Sequence, residues 1–313
     1  MKQAKRHPLI FGTMILTATG LITRVIGFFY RIYLSRLFGE EGMGIYQLLS
    51  PALSLSFSLT AAGYQTAISK YVAADSAKHP SGNLKPLLAG ISITLPLSLV
   101  TNAILFFSAD PIGIFLLKDH RTVPMLRILA FSVPFAALHA CIKGYFYGKK
   151  KASVPALTQL LEQLAEIAVF AILVGKLAPM GLEYACCSIV IGTTGAEIIS
   201  CIYSYILYRI SISKIKGKAK RVPHFLSKFT SIALPVTGSS CLRSGLSAIE
   251  NSLIPTGLRK NGSNYTNALA TYGTISGMVM PIITFPAIFI MPLSTLIIPE
   301  ISQAKAQNKE NSV

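Results

Sequence analysis

The sequence predicts an all-α membrane protein with about eight transmembrane helices. Hydrophobic residues make up 52% of the 313 residues and charged residues only 13%. The mean hydropathy is +0.56. Apolar runs near or above the roughly 20 residues that cross a bilayer recur along the chain, and Lys and Arg gather in the short loops between them. These observations exclude a soluble domain. Because Lys and Arg lie mainly in the loops, we interpret the net charge of +17 as a signal of membrane orientation rather than of nucleic-acid binding.

Eight apolar runs are long enough to span a membrane, and an even number places both termini on the same side. The amino terminus, the tail and the loops after the second, fourth and sixth runs carry eighteen Lys and Arg, whereas the opposite loops carry six. The positive-inside rule therefore predicts cytoplasmic termini. The predicted spans are Leu9–Phe38, Gly44–Ala73, Pro86–Ser108, Val123–Tyr147, Val154–Lys176, Gly181–Tyr208, Phe229–Pro255 and Ala268–Pro299.

The longest hydrophilic loop divides the chain into two units. We expect a first lobe of six helices at residues 1–208, a basic cytoplasmic loop at 209–228, the first two helices of a second lobe at 229–300 and a cytoplasmic tail at 301–313. A faint parallel repeat accompanies this division. The first span reads Thr-Gly and then Arg24 and Arg31, and the seventh reads Thr-Gly and then Arg243 and Glu250.

The first span carries its polar residues on one helix face. They are four, seven, eleven, fourteen and eighteen residues from the first, and they comprise Thr13, Thr17, Gly20, Arg24, Gly27 and Arg31. A charge at mid-bilayer costs about 2.5–3.5 kcal/mol, so Arg24 is expected to face a protein-lined cavity. Arg31 lies later in the span, where it faces either the cavity or the interface.

Charged residues that are candidates for a site also lie in the fifth, sixth and seventh spans. Glu162 lies in the fifth span, Glu197 in the sixth, and Arg243 and Glu250 share a face of the seventh. The arginines suit an anionic ligand, and Glu197 and Glu250 are expected to pair with them or to carry protons. Glu162 lies near the cytoplasmic end of its helix, where it balances charge or bonds locally.

No catalytic constellation is visible. The sequence has no phosphate-binding Walker loop, no H-E-x-x-H zinc motif and no dinucleotide fingerprint. His139 is the one histidine within a predicted span and is interpreted as a hydrogen-bonded packing residue rather than a ligand. The five cysteines lie in apolar spans without a C-x-x-C pair. We therefore expect no enzymatic activity, no cofactor and no metal site.

Three stretches resemble a known family. They are Gly12-Thr13 through Gly44-Ile45-Tyr46-Gln47-Leu48, Pro155-Ala156-Leu157-Thr158-Gln159 with Glu162-Gln163, and Arg243 through Pro299 with Glu300-Ile301-Ser302. They are similar to the stage V sporulation protein B type of polysaccharide-biosynthesis membrane proteins. That type belongs to the multidrug/oligosaccharidyl-lipid/polysaccharide flippase superfamily.

The resemblance implies a two-lobed helical transporter in the bacterial inner membrane. Such proteins move lipid-linked cell-wall or polysaccharide precursors outward, including lipid II-like precursors of the spore cortex. Arg24 is similar to a first-span arginine of lipid II flippases that meets the lipid diphosphate, and Arg31 to a second one offset by one residue. We expect Arg24, Arg31 and Arg243 to bind the headgroup of a lipid-linked oligosaccharide diphosphate. Glu250, Glu197 and Glu162 are expected to balance charge or couple to ions.

Three departures from the family pattern keep other functions open. Members have about twelve to fourteen spans, whereas this sequence contains eight predicted spans. If this chain transports a substrate, a second chain would have to supply the remaining helices. Glu166 occupies a position where relatives are expected to be basic, and the eighth span lacks the arginine of lipid II flippases. The alternatives are a truncated, non-transporting remnant or assembly partner, and a cation-coupled multidrug exporter of the same superfamily.

Overall fold

The computed structural model describes residues 8–78, 84–212, 225–260, 264–284, 290–291, 294–298 and 301–302. All regular secondary structure in these ranges is helical, which confirms the predicted all-α class. Most of the basic loop and of the predicted cytoplasmic tail lies outside the described residues. The same is true of Pro286 and Pro292 in the predicted eighth span.

The described chain forms twelve α-helical segments. They are α1 (Pro8–Gln47), α2 (Ser50–Phe57), α3 (Gly63–Lys78), α4 (Lys85–Phe107), α5 (Ala109–Pro111), α6 (Thr122–Ala130), α7 (Ser132–Gly148), α8 (Ser153–Leu177), α9 (Leu182–Ile212), α10 (Phe225–Lys260), α11 (Tyr265–Tyr272) and α12 (Met280–Ile283). Wider π-helical turns at Ser58–Ala62, Ile112–Leu116 and Gly273–Val279 join some of them, and a short 3₁₀ turn at Ala178–Met180 follows α8.

Four helical stretches are long and apolar enough to cross a membrane, namely Phe11–Gln47, Lys85–Phe107, Ser153–Met180 and Leu182–Ile212. A fifth crossing is possible if α6 and α7, which are bent by 42° relative to each other, form one span. These match the predicted first, third, fifth, sixth and fourth spans. Pro134 is the third residue of α7, a position where the missing N–H of proline breaks no helical bond. The other three predicted spans fall on α2 with α3, on α10, and on α11 with the segment after it. Among the described residues these helices do not meet the same criteria of length and apolarity, so the count of eight spans stays a prediction.

Helix α1 is longer than the predicted first span. It continues through the expected loop to Gln47 and is broken at Gly39, whose φ of 67° and ψ of −175° are accessible essentially to glycine alone. The chain therefore kinks at Gly39 instead of forming a loop. The next helix begins at Ser50 rather than at Gly44, where the second span was expected.

Helix α1 lies between two groups of helices. On one side it packs against α8 and α9, which pair closely along their lengths, while α7 contacts α3, α4 and α9. On the other side it contacts α11 and the π-helical turn at Gly273–Val279. A β-carbon on Gly273 would lie 2.6 Å from the Glu40 carbonyl oxygen and from the Gly44 nitrogen, so this crossing requires glycine.

The amino-terminal end of α1 is sealed by small and apolar side chains. Leu16, Ala152, Ala156 and Leu296 form a buried cluster there. A β-carbon on Gly12 would lie 3.2 Å from the Cδ1 atom of Leu296. The space beside α1 is therefore closed at this end by the segment after α12 and by the start of α8.

Candidate functional site

A cavity of about 1270 Å³ runs along the polar face of α1, and both arginines of that face line it. Its walls come from α1, α8 and the last helical segments. This volume exceeds the roughly 300–1,000 Å³ of pockets for ordinary small molecules. Arg24 and Arg31 are seven residues apart, nearly two helical turns, so one wall presents both guanidinium groups to the same space.

Each cavity arginine donates a hydrogen bond to a backbone carbonyl on the opposite side. The Nη1 atom of Arg24 lies 3.0 Å from the Thr284 carbonyl oxygen, and the Nη1 atom of Arg31 lies 2.9 Å from that of Gly277. Gly277 belongs to the π-helical turn at Gly273–Val279, whose wider hydrogen-bonding pattern changes which carbonyls are available. The two contacts connect α1 to the last segments of the chain.

Neither arginine forms an ion pair with any described carboxylate. A guanidinium has five N–H donors, and the described carbonyl contact of each arginine uses Nη1. Cations inside a membrane protein are normally paired or face a wet cavity. The two arginines therefore supply a cationic surface, without an ion pair to any described carboxylate, that fits an anion.

Another part of the wall is formed by polar residues of α8, which packs against α1. They form two pairs, each separated by about one helical turn, and comprise Gln159 with Gln163 and Glu162 with Glu166. The Oγ1 atom of Thr193 lies 3.4 Å from Glu166 Oε1, and Arg31 is close enough to interact electrostatically with Glu166. One wall is thus cationic and the other is acidic and amide-rich, a combination that can bind phosphate together with sugar or amide groups.

The sequence analysis assigned no role to several residues that line the cavity. Arg36, Tyr46, Gln47, Ser50 and Ser276 are among them. Arg36 lies five residues after Arg31, and it was counted only as a loop charge. Gln159 and Gln163 belong to a stretch that resembles the family. Their four-residue spacing places them on one helix face, and this was the signal from which a shared role could have been predicted.

Arg243 and Glu250 are not among the residues lining this cavity. Both are exposed on α10. The neighbouring Ser244 is buried, and its Oγ atom lies 2.6 Å from Ser58 Oγ. Because consecutive residues on a helix point about 100° apart, this contact turns Arg243 away from the side that packs against Ser58. The cavity therefore gives no support to these two predicted site residues.

His139 is buried and hydrogen-bonded, as the sequence analysis expects, and its partner comes from another helix. Its Nδ1 atom lies 2.8 Å from Glu197 Oε1, and the ring is fully buried. Ligand atoms of His139, Glu162 and Glu197 lie within 4.8 Å of one another, although the residues belong to three helices. The partners of His139 are 23 and 58 residues away in sequence. No local sequence motif could therefore predict the cluster.

A second charged cluster lies at the other end of α1, outside the cavity. Arg121 donates from Nη1 to Glu41 at 2.8 Å and from Nη2 to Asp119 at 2.8 Å. Hydrogen bonds to Asp119 and then to Glu41 raise the pKa of the Arg121 guanidinium above its ordinary value. The cluster ties the loop before α6 to the end of α1 and acts as a structural clamp.

The comparisons with known proteins agree with this architecture. A family model described as "Polysaccharide biosynthesis protein" matches residues 9–304. Stage V sporulation protein B of Bacillus subtilis (strain 168) is 32% identical over 315 residues, covering 97% of this chain and 60% of the relative. Lipid II flippase MurJ of the same organism is 27% identical over 213 residues, covering 62% of this chain and 39% of the relative. The chain thus spans at most 60% of the length of these two relatives.

A solved structure shows the same fold. It is an outward-facing multidrug resistance MATE family transporter of the MOP superfamily, with a TM-score of 0.65 and 14% sequence identity. The likeness covers 98% of this chain and 67% of that one. The helices described above are therefore arranged as in transporters of this superfamily.

Proposed function

Because the chain belongs to the polysaccharide biosynthesis protein family, we propose that it forms all or part of a membrane flippase for lipid-linked cell-wall or polysaccharide precursors. The proposed ligand is a polyprenyl diphosphate bearing a sugar headgroup, as in lipid II. The named activity of one relative, lipid II flippase, supports this substrate class. A role in making spore cortex peptidoglycan is supported by the likeness to stage V sporulation protein B.

One observation carries the proposal, namely two arginines that line a large cavity and form no ion pair with any described carboxylate. A diphosphate supplies the missing negative charge, and guanidinium groups bind phosphate oxygens through paired N–H donors. A cavity of about 1270 Å³ has room for a headgroup beyond the diphosphate. A multidrug exporter for cations would expose a mainly acidic surface instead.

The residues have separate roles in this proposal. Arg24 and Arg31 bind the diphosphate, and Gln159 and Gln163 on α8 contact the sugar or its substituents. Glu162 and Glu197 are the proposed ion-coupling residues. Arg243 and Glu250 stay predictions that the cavity does not support, because they are exposed on α10.

We further propose that the protein lies in the bacterial inner membrane with both termini in the cytoplasm, as the loop charges indicate. The sealed end of α1, at Leu16 and Leu296, is then the cytoplasmic end. The cavity reaches Gln47 and Ser50 at the other end of α1. In this orientation the structure corresponds to an outward-open state, from which a headgroup leaves.

The test measures binding of farnesyl diphosphate to the purified chain in lipid nanodiscs, with farnesol as the uncharged reference. The wild type should bind the diphosphate at least about tenfold more tightly than farnesol. Arg24→Ala should weaken binding by about tenfold or more, and Arg24→Lys should weaken it less, because lysine keeps the charge but loses the paired donors. Arg127→Ala is the matched control, since Arg127 is exposed and pairs with Asp110 far from the cavity.

Equal affinity for farnesol and its diphosphate, or unchanged binding in Arg24→Ala, contradicts the proposal. Preferential binding of tetraphenylphosphonium, strengthened by Arg24→Ala, would support the cation exporter instead. Movement of a fluorescent polyprenyl diphosphate across proteoliposomes tests transport separately. Binding without movement would indicate that transport requires a second chain, and the chain's own role would then be that of a subunit.

A further inference from the structure

Three helices bring one histidine and two glutamates together beside the cavity. His139 comes from α7, Glu162 from α8 and Glu197 from α9, and their ligand atoms lie within 4.8 Å of one another. Only Glu162 also lines the cavity. Glu197 is 16% exposed and His139 is fully buried. The cluster therefore extends from the cavity wall into the protein interior.

The contacts of His139 define its hydrogen-bonding state. Its Nδ1 atom lies 2.8 Å from Glu197 Oε1, and a carboxylate accepts, so Nδ1 carries the proton. Its Nε2 atom is buried and has no hydrogen-bond partner in the described part of the chain. A protonated ring would leave a charged N–H without an acceptor, which is costly in a buried place. The imidazole is therefore neutral and orients Glu197.

The two carboxyl groups lie near each other. One carboxyl oxygen of Glu162 lies within 4.8 Å of one carboxyl oxygen of Glu197. Two ionised carboxylates so close together repel each other and offer four acceptor oxygens but no donor. One added proton removes this repulsion and allows one carboxyl group to donate to the other.

The surrounding charges show why one proton fits. Lys143, one turn after His139 on α7, is the charged neighbour that interacts with all three groups. Two carboxylates, one ammonium and a neutral imidazole sum to −1, and one added proton makes the cluster neutral. A divalent metal would leave a net charge of +1. An uncompensated charge within a membrane is costly, which favours the singly protonated cluster.

Two other titratable groups face the cluster from the same helices. Glu166, one turn after Glu162, interacts electrostatically with it and is itself next to Arg31, which offsets its charge. Cys201, one turn after Glu197, is a buried thiol and carries no charge in its usual form. Neither group supplies a further positive charge. The net charge of −1 therefore remains at the Glu162–Glu197 pair, and one proton neutralises it.

We propose that Glu162, Glu197 and His139 form a binding site for one proton, which is held between the two carboxyl groups and exchanges with cavity water through Glu162. When the proton leaves, water takes it up and both carboxylates are ionised. The cavity wall facing Arg24 and Arg31 then gains one negative charge, which disfavours an anionic ligand. Proton and anion therefore bind cooperatively, and linkage makes this effect reciprocal. The coupling to a lipid diphosphate rests on the proposed function, whereas the proton site does not.

The site is tested first without any ligand, by infrared spectroscopy of the purified chain in nanodiscs near neutral pH. The wild type should show the carbonyl band of a protonated carboxylic acid, lost in one ionisation step as the pH is raised. Glu162→Gln and Glu197→Gln should each remove the band, and His139→Gln should shift it. Glu183→Gln, at the start of α9, is the matched control and should leave the band unchanged.

The wild-type spectrum alone is decisive, because it does not depend on the folding of any variant. Absence of the band near neutral pH, or its survival in both Glu162→Gln and Glu197→Gln, would overturn the proposal. Loss of the band on adding sodium chloride at fixed pH, but not choline chloride, would also overturn it and assign the site to sodium. Failure of farnesyl diphosphate to bind would leave the band intact, so the two proposals fail separately.

The coupling has its own readout. Affinity for farnesyl diphosphate should fall about tenfold as the pH is raised through the loss of the band. In Glu162→Gln, whose side chain at position 162 is neutral at every pH, this dependence should disappear. A pH dependence that is unchanged in Glu162→Gln would separate the proton site from anion binding and overturn the proposed cooperativity.

Discussion

The Nη1 atom of Arg31 donates to the carbonyl oxygen of Gly277 at 2.9 Å, so the first helix holds a turn that lies 246 residues further along the chain. Arg24 makes the same kind of contact with Thr284. Two of the three arginines predicted to bind an anion therefore also connect the first helix to the last described segments.

Replacing Arg31 should loosen the π-helical turn it holds. Arg31→Ala removes one charge-assisted hydrogen bond in a partly solvated cavity, about 1 kcal/mol. Amide hydrogen exchange in residues 273–279 should accelerate roughly fivefold, measured by mass spectrometry. Arg36→Ala is the control, because Arg36 lines the same cavity and is exposed. Equal acceleration in both variants would show that the carbonyl contact does not order the turn.

The clamp at the far end of α1 should contribute measurably to stability. Arg121→Ala breaks contacts with Glu41 and with the buried carboxylate of Asp119, leaving that carboxylate without its main partner. We expect a loss of about 1–2 kcal/mol, seen as a lower unfolding temperature in detergent. Arg127→Ala breaks only the exposed pair with Asp110 and should change stability by less than about 0.5 kcal/mol. A larger loss in Arg127→Ala would contradict this ranking.

The kink of α1 should depend on glycine at position 39. Gly39→Ala forces a β-carbon into a backbone conformation with φ of 67° and ψ of −175°, which costs on the order of 1–3 kcal/mol. Gly175 in α8 has helical neighbours and open space around its α-carbon. Gly175→Ala should therefore be neutral or stabilising by up to about 1 kcal/mol. Thermal unfolding of both variants gives the comparison, and a neutral Gly39→Ala would mean that the chain straightens without penalty.

The sealed end of α1 should open when Leu296 is shortened. Ala152→Cys places a thiol in the buried cluster, where a membrane-impermeant maleimide should react slowly. Adding Leu296→Ala removes the apolar cover and should raise the labelling rate by about tenfold. Ser153→Cys is exposed and should react quickly with or without the second change. Unchanged labelling at position 152 would show that Leu296 does not close this end.

Periodicity was sufficient to predict the polar face of α1, because one helix alone determines which of its residues share a side. It was not sufficient for Arg243, whose direction depends on how α10 packs through Ser244 against Ser58. It also failed for His139, since Glu162 and Glu197 approach it only through tertiary packing. The carbonyls of Gly277 and Thr284 carry no side-chain signal, so their role depends on backbone geometry that no residue pattern encodes.

The carbonyl contacts of Arg24 and Arg31 mean that these side chains are ordered before any ligand arrives. Anchored through Nη1, each guanidinium keeps its remaining N–H edge in one orientation, so a ligand does not have to immobilise a freely rotating side chain. The carbonyl groups that order the two side chains belong to the last described helical segments and not to α1 itself. A displacement of those segments from α1 would return rotational freedom to both arginines, and an anionic ligand would then bind more weakly because it would have to order both side chains again.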